Sequence, residues 1–216
     1  MQPIIGCQFY LRREDASSEA TRLPPDQIVL LAKSETGYEN LLKLSSVSYL
    51  GGKDQDSVEI GLDDLAAYAE GLIALTGGPA GPVGRMLAED QDPAAEEYLE
   101  QLMSIYPNRL YVELMRHGRA VETYIEGRLI DLAYKHDLPL IATNEVFFAN
   151  SEMHEAHDAL ICIAEGAYVD QQAPRRRLSA QHYFKTPQEM VTLFADLPEA
   201  VANTLEIARR CAFMAY

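Results

Sequence analysis

The sequence predicts an α/β fold, in which strands alternate with helices and form a sheet that is open or closed into a barrel. Two observations lead to this prediction: five short apolar runs rich in β-branched or aromatic residues, and helical patterns between them. The runs are apolar almost throughout, which is typical of parallel strands covered on both faces. With 216 residues, of which 48% are hydrophobic, the chain can bury a core, and wholesale disorder is excluded.

The elements of this pattern follow one another along the first 150 residues. The five predicted strands cover residues 3–10, 27–32, 71–76, 109–114 and 138–143. Helical spacing of apolar residues predicts helices over 38–49, over 62–68, from Pro93 onward, and over 124–136. The first of these helices can be capped by Ser34 or Thr36, and the last is closed by Lys135 and His136. Residues 11–25 are polar, end in Pro-Pro and predict a loop.

The last third of the chain has a different character. After residue 150 no strong strand signal remains, and helices are predicted over 153–163, 187–194 and 198–211. Ser151 is the expected cap of the first, Pro198 begins the last, and residues 169–180 predict an irregular loop. The expected organisation is therefore a barrel portion over 1–150 and a helical part over 151–216. Because the chain opens directly on a strand, either the first barrel elements are missing or the strand is a natural N-terminus.

Charge and composition exclude several functional classes. The chain has 33 acidic and 18 basic residues, a net charge of −15 and a pI of about 4.7. An acidic surface repels the phosphates of nucleic acid, so we expect no direct nucleic-acid binding. No apolar run is long enough to span a membrane, and the N-terminus lacks the features of a signal peptide. The cysteines Cys7, Cys162 and Cys211 are odd in number and widely spaced, which predicts reduced thiols and a cytoplasmic protein.

His117 is the first candidate for chemistry, since it follows the predicted strand RLYVEL. Strand alternation places Glu113, Met115 and His117 on one side. One interpretation is a metal-ligand pair at the mouth of a barrel. The other is a polar loop histidine with a carboxylate neighbour, and the spacing alone favours this second interpretation.

Asn144 and Glu145 follow the next predicted strand. The rings of Phe147 and Phe148 come directly after them and offer no metal ligand. His154 and His157 share one face of a predicted helix and could bind zinc, but the HExxH order is absent and solvated histidines are the favoured interpretation. The side chains of the chain form no recognisable catalytic constellation.

The glycine-rich segment GGPAGPVG, residues 77–84, follows a predicted strand and could be taken for a phosphate-binding loop. It lacks the Gly-Lys-Ser/Thr ending of such loops, and two prolines remove amide donors. A turn at the end of the strand is the favoured interpretation.

Several segments of the sequence, taken together and in order, resemble a known protein family. The segments IIGCQFY, LLAKSETGYENLLKLSSVSYL, EGLIALTGG, RLYVELMRHG, LPLIATNEVFF and LFADLPEAVANTLEIARRC occur in this order over essentially the whole chain. They resemble the N-terminal PHP (polymerase and histidinol phosphatase) domain of bacterial DNA polymerase III alpha subunits. The resemblance implies a distorted (β/α)7 barrel with a metal centre at the carboxyl ends of its strands. The family's opening HxH segment is absent, so we expect a barrel that is incomplete at the N-terminus.

The resemblance also allows the family's metal positions to be compared one by one. Gln8 stands where metal-competent members have Glu, and Gly78 where they often have Cys. The histidine of the HG motif is kept as His117. The later Asp-x-His pair becomes Glu145 and Phe147, which keeps a carboxylate and loses an imidazole. The resemblance thus implies vestigial metal positions, no catalytic residue and no cofactor in this chain; Zn or Mn is expected only if the site is intact in a full-length protein.

Three functions compete at this stage. The resemblance implies a degenerate PHP domain that docks the proofreading exonuclease (epsilon) subunit and braces the polymerase. The nucleotidyltransferase site of the DNA-directed DNA polymerase would then lie elsewhere in the alpha chain. The alternative is an active metal-dependent phosphoesterase or 3′–5′ exonuclease, based on Glu113, His117 and Glu145. The third is a free-standing small-molecule enzyme, which rests on fold analogy alone.

Overall fold

The computed structural model describes residues 2–13, 25–50, 58–172 and 174–214. Its strands are β1 (Gly6–Leu11), β2 (Asp26–Ala32), β3 (Leu72–Leu75), β4 (Leu110–Met115) and β5 (Leu140–Thr143). Its helices are α1 (Glu35–Leu50), α2 (Leu62–Ala67), α3 (Pro82–Ala88), α4 (Asp92–Ile105), α5 (Ala120–Lys135), α6 (His154–Glu165), α7 (Pro187–Leu193) and α8 (Pro198–Arg210). Short 3₁₀ turns cover Gly78–Ala80 and Ser151–Met153.

The five strands form one sheet in the order β1-β2-β3-β4-β5, and the sheet is open within the described residues. The predicted α/β class is confirmed and agrees with a PHP-type partial barrel that carries a helical extension. The expectation of a parallel sheet is correct for β3–β4 and β4–β5 but wrong for β1–β2 and β2–β3, which pair antiparallel. A continuous apolar run indicates that a strand is buried on both faces, but it does not indicate whether the neighbouring strand is parallel or antiparallel.

Helices cover both faces of the sheet. The larger core packs α1, α3, α4 and α5 on one face, around residues such as Leu44, Leu72 and Leu99. On the other face, Ile207 and Cys211 of the α8 region pack on Ile73 and Tyr111. Asn203 of α8 also donates a hydrogen bond to the carbonyl of Leu140 at 2.7 Å. The C-terminal helices therefore help to bury the sheet, which explains why β3 is apolar at every position.

Most predicted helices are confirmed, as is one of the two caps predicted for α1, and two details differ. Ser34 is the cap of α1, because its hydroxyl accepts a hydrogen bond from the Gly37 amide at 3.2 Å. Ser151 makes no capping hydrogen bond and instead begins a 3₁₀ turn ahead of α6. Helix α3 begins inside the segment 77–84 that was predicted as a turn and continues beyond it, with Pro82 in its first turn, where proline needs no amide donor. Most of the loop predicted over 11–25 lies outside the described residues.

No helix within the described ranges combines the length and the apolar character that crossing a bilayer requires.

Candidate functional site

The carboxyl ends of β4 and β5 position the candidate site. The two strands are parallel neighbours, so the residues that follow them meet at one edge of the sheet. His117 follows β4 and Glu145 follows β5. A third segment, residues 179–185, returns to the same edge, where the Phe147 amide donates to the His182 carbonyl at 2.9 Å and the Phe184 amide to the Phe148 carbonyl at 2.9 Å.

His117 is buried, and both of its ring nitrogens are hydrogen-bonded to other residues of the protein. Nε2 lies 3.2 Å from the Glu145 amide, which can only donate, so Nε2 is the acceptor. Nδ1 therefore carries the proton and donates to Glu122 Oε1 at 2.9 Å. In this arrangement neither nitrogen has a lone pair free for a metal ion.

Glu122, in the first turn of α5, organises the loop that carries His117. Its Oε2 accepts hydrogen bonds from the amide of His117 at 2.7 Å and from the amide of Arg119 at 3.1 Å. Burial opposes its charge, but the hydrogen bonds from His117 and Arg119 outweigh this, and the pKa of Glu122 is lowered. Glu122 is thus an ionised carboxylate that holds the loop after β4 in place.

The ring of His182 stacks on the ring of His117. The sequence did not predict His182 as a site residue. The two imidazoles are stacked, with centroids 4.1 Å apart and an interplanar angle of 11°. Burial, together with the neighbouring His117, lowers the pKa of His182 to about 4, so the ring is neutral near pH 7. Its Nδ1 lies 3.1 Å from the Ser179 hydroxyl. Its Nε2 is buried without a hydrogen-bond partner, and Glu145 Oε2 lies 4.0 Å away.

Glu113 is buried on β4 and is hydrogen-bonded to the glycine-rich turn that follows β3. Its Oε2 accepts a hydrogen bond from the Gly77 amide at 3.0 Å, and its own amide donates to the Thr76 hydroxyl at 3.0 Å. Burial raises the pKa of Glu113 to about 7, and the nearby Glu145 carboxylate acts in the same direction. The Glu113 carboxylate accepts a hydrogen bond from this turn, whereas the His117 ring is hydrogen-bonded to Glu122 and to the Glu145 amide, so the two side chains do not form a preassembled ligand pair.

The raised pKa of Glu113 predicts how stability depends on pH. The folded protein binds this proton more tightly than the unfolded chain, whose glutamate has a pKa near 4.5. The stabilisation is therefore complete below pH 4.5 and is lost as pH rises toward and through 7. Glu113→Gln should reduce the difference in the free energy of unfolding between low and high pH by on the order of 3 kcal/mol. Urea unfolding at pH 5 and pH 8 measures it, with the exposed Glu97→Gln as control; an unchanged difference between the two pH values would contradict the assignment.

The remaining positions implied by the resemblance offer few donors. Gly78 has a φ of +53°, and a Cβ there would lie 3.2 Å from the Met115 sulfur, so a larger side chain does not fit without a shift. The Phe147 ring packs 5.9 Å from His182. Gln8 is exposed on β1, and its register opposite Val29 places it on the same face of the sheet as Leu75. Of these positions only Glu145 presents a charged donor, so the residues present do not fit the metal centre that the resemblance implies.

The two histidines of α6 do not form a ligand pair. His154 Nε2 lies 2.9 Å from the Leu178 carbonyl, and the His157 ring packs 5.4 Å from Phe148. Cys162 is buried, and burial raises the pKa of Cys7. The two histidines therefore pack against the ring of Phe148, beside the segment that follows β5.

Comparison with known proteins identifies the family to which the sequence is similar. Residues 1–117 match the PHP domain family. The whole chain is 43% identical to DNA polymerase III subunit alpha of Caulobacter vibrioides and covers 19% of that protein. Over 98% of the chain, the proteins of the same name from Vibrio cholerae and Escherichia coli are 40% and 37% identical, and the chain covers 18% of each. The chain thus spans about a fifth of the length of these relatives.

Proposed function

Because the chain belongs to the PHP domain family, we propose that it is part of a DNA polymerase III alpha subunit and serves chromosomal replication as a degenerate PHP domain. Its role is structural, and it docks the proofreading exonuclease (epsilon) subunit. Residues 1–150 form the PHP barrel portion, and residues 151–216 form the helical part that leads toward the polymerase palm. The protein that carries this chain works in the cytoplasm, and its polymerase site lies outside these residues.

The observation that carries the proposal is the state of His117. This is the one histidine that the resemblance keeps among the metal positions, and its ring is bonded to Glu122 and to the Glu145 amide. The His117 side chain, which would coordinate a metal in a catalytic PHP domain, here joins the loops after β4 and β5. A site used in this way supports a structural role.

A protein partner is favoured over nucleic acid by the surface of the chain. The net charge of −15 disfavours contact with phosphates. Helix α6 exposes apolar side chains on one face: Leu160 is 62% exposed and Ile163 is 77% exposed. Apolar area of this kind is what the core of a protein–protein interface buries. We place the exonuclease on this face of α6.

Hydrogen exchange on the complete alpha subunit, with and without the cognate exonuclease, tests this placement. We expect protection of peptides from α6, and at least a tenfold loss of exonuclease affinity for Leu160→Asp. Leu205→Asp is the matched control, because Leu205 of α8 is also 62% exposed. Protection confined to residues outside this chain, or equal binding by the two variants, would contradict the docking role.

A second candidate function is an active metal-dependent phosphoesterase or 3′–5′ exonuclease. One observation favours it: the unpartnered Nε2 of His182 lies 4.0 Å from Glu145 Oε2, so two donors of suitable chemistry face each other. Residues outside this chain would have to supply the remaining ligands, together with Zn or Mn. We rank this function second because His117 has no free nitrogen.

A further inference from the structure

Three metal-ligating side chains meet on the helical layer, away from the edge that carries His117. Glu96 and Glu100 project from α4, and His136 directly follows α5. Each offers one donor atom, and the three donor atoms all lie within 4.8 Å of one another. The group combines an imidazole with two carboxylates and shares no residue with the cluster around His117.

The backbone fixes this arrangement. Glu96 and Glu100 are four residues apart, so they lie on the same face of α4. The amide of His136 donates to the Leu132 carbonyl at 3.1 Å, which holds the end of α5. The His136 Nε2 lies 2.7 Å from Glu96 Oε1, and its side chain is only 14% exposed. Two of the three donors therefore already lie side by side, and the imidazole exchanges its hydrogen bond to Glu96 for the ion when zinc binds.

We propose that Glu96, Glu100 and His136 bind one Zn²⁺ ion, with water as the fourth ligand. Zinc takes imidazole nitrogen and carboxylate oxygen together, whereas Mg²⁺ and Ca²⁺ select oxygen ligands. In a tetrahedral site with bonds of about 2.0–2.1 Å the donors are about 3.3 Å apart. Glu96 and His136 must separate slightly from their present contact, and the wider pairs must close by a small rotation of the exposed Glu100 side chain.

Lys135 is the group that competes with the ion. Its ammonium pairs with the same Glu96 oxygen that faces His136, and it is 61% exposed. An exposed ion pair of this kind is weak, so zinc can displace the lysine. The bound ion would then tie α4 to the end of α5.

Calorimetric titration of the purified protein with ZnCl₂ tests the site through two opposite effects. His136→Ala and Glu100→Gln should each weaken zinc binding at least tenfold. Lys135→Met should tighten it severalfold, because the competing cation is gone. Glu97→Gln, an exposed glutamate on the same helix, should change nothing. A general disturbance of the surface would not produce a loss and a gain from neighbouring residues.

Thermal unfolding with and without zinc supplies a second measurement. The ion should raise the unfolding temperature of the native protein and of Glu97→Gln, but not of His136→Ala. Millimolar MgCl₂ should not reproduce the effect. Zinc binding that His136→Ala leaves intact, or no saturable binding at all, would overturn the proposal.

Discussion

Glu122→Ala is expected to lower the free energy of unfolding by about 3–5 kcal/mol. The Glu122 carboxylate accepts three hydrogen bonds: from the His117 amide, the His117 ring and the Arg119 amide. Glu122 is buried, and so is His117. Alanine therefore leaves the His117 donors without partners in a site that water reaches poorly.

Chemical denaturation of the purified protein measures this loss. Glu122→Gln keeps an acceptor oxygen but loses the charge, so it should fall between alanine and the native protein. Glu97→Ala, on an exposed position of α4, should change stability by less than about 0.5 kcal/mol. If Glu122→Ala costs no more than Glu97→Ala, Glu122 does not hold the loop as described.

Gly81→Ala is expected to cost about 2–4 kcal/mol or to prevent folding. A Cβ at this position would lie 1.8 Å from the Thr76 carbonyl oxygen, a distance that no side-chain movement relieves because the obstacle is backbone. The same turn presents the Gly77 amide to Glu113. Opening it would therefore also remove a hydrogen bond from a buried carboxyl group.

The control for this substitution lies in the same chain. Gly127 is on the exposed side of α5, and a Cβ there meets nothing within 4 Å. Gly127→Ala should therefore stabilise the protein by up to about 1 kcal/mol through helix propensity. Urea unfolding of both variants compares the same chemical change in two environments. Equal effects would show that the close approach at Gly81 is not what excludes a side chain.

The sequence was sufficient for the strands and most helices, because these depend on local apolar spacing. It was not sufficient for the pairing directions of β1 and β2, since an apolar run looks the same beside a parallel or an antiparallel neighbour. Helix α3 was missed because Pro79 and Pro82 indicate a turn, and only the structure shows that Pro82 occupies a first helical turn.

The candidate site was predictable where it depends on neighbouring strands. His117 and Glu145 follow β4 and β5, and their meeting at one edge follows from a parallel pair. His182 was not predictable, since it reaches His117 from an irregular segment 65 residues further along the chain. Glu122 was also missed: its role depends on the turn between β4 and α5, and Arg119 at the helix start gives none of the usual capping signals.

The decisive measurement is hydrolysis of single-stranded DNA by the purified, complete alpha subunit in the presence of Mn²⁺ or Zn²⁺. If the His117 cluster joins loops and does not bind a catalytic metal, hydrolysis should not exceed that of the metal ions alone, and His117→Ala should leave that value unchanged. A saturable, metal-dependent hydrolysis that His117→Ala abolishes would contradict the structural role and favour the phosphoesterase.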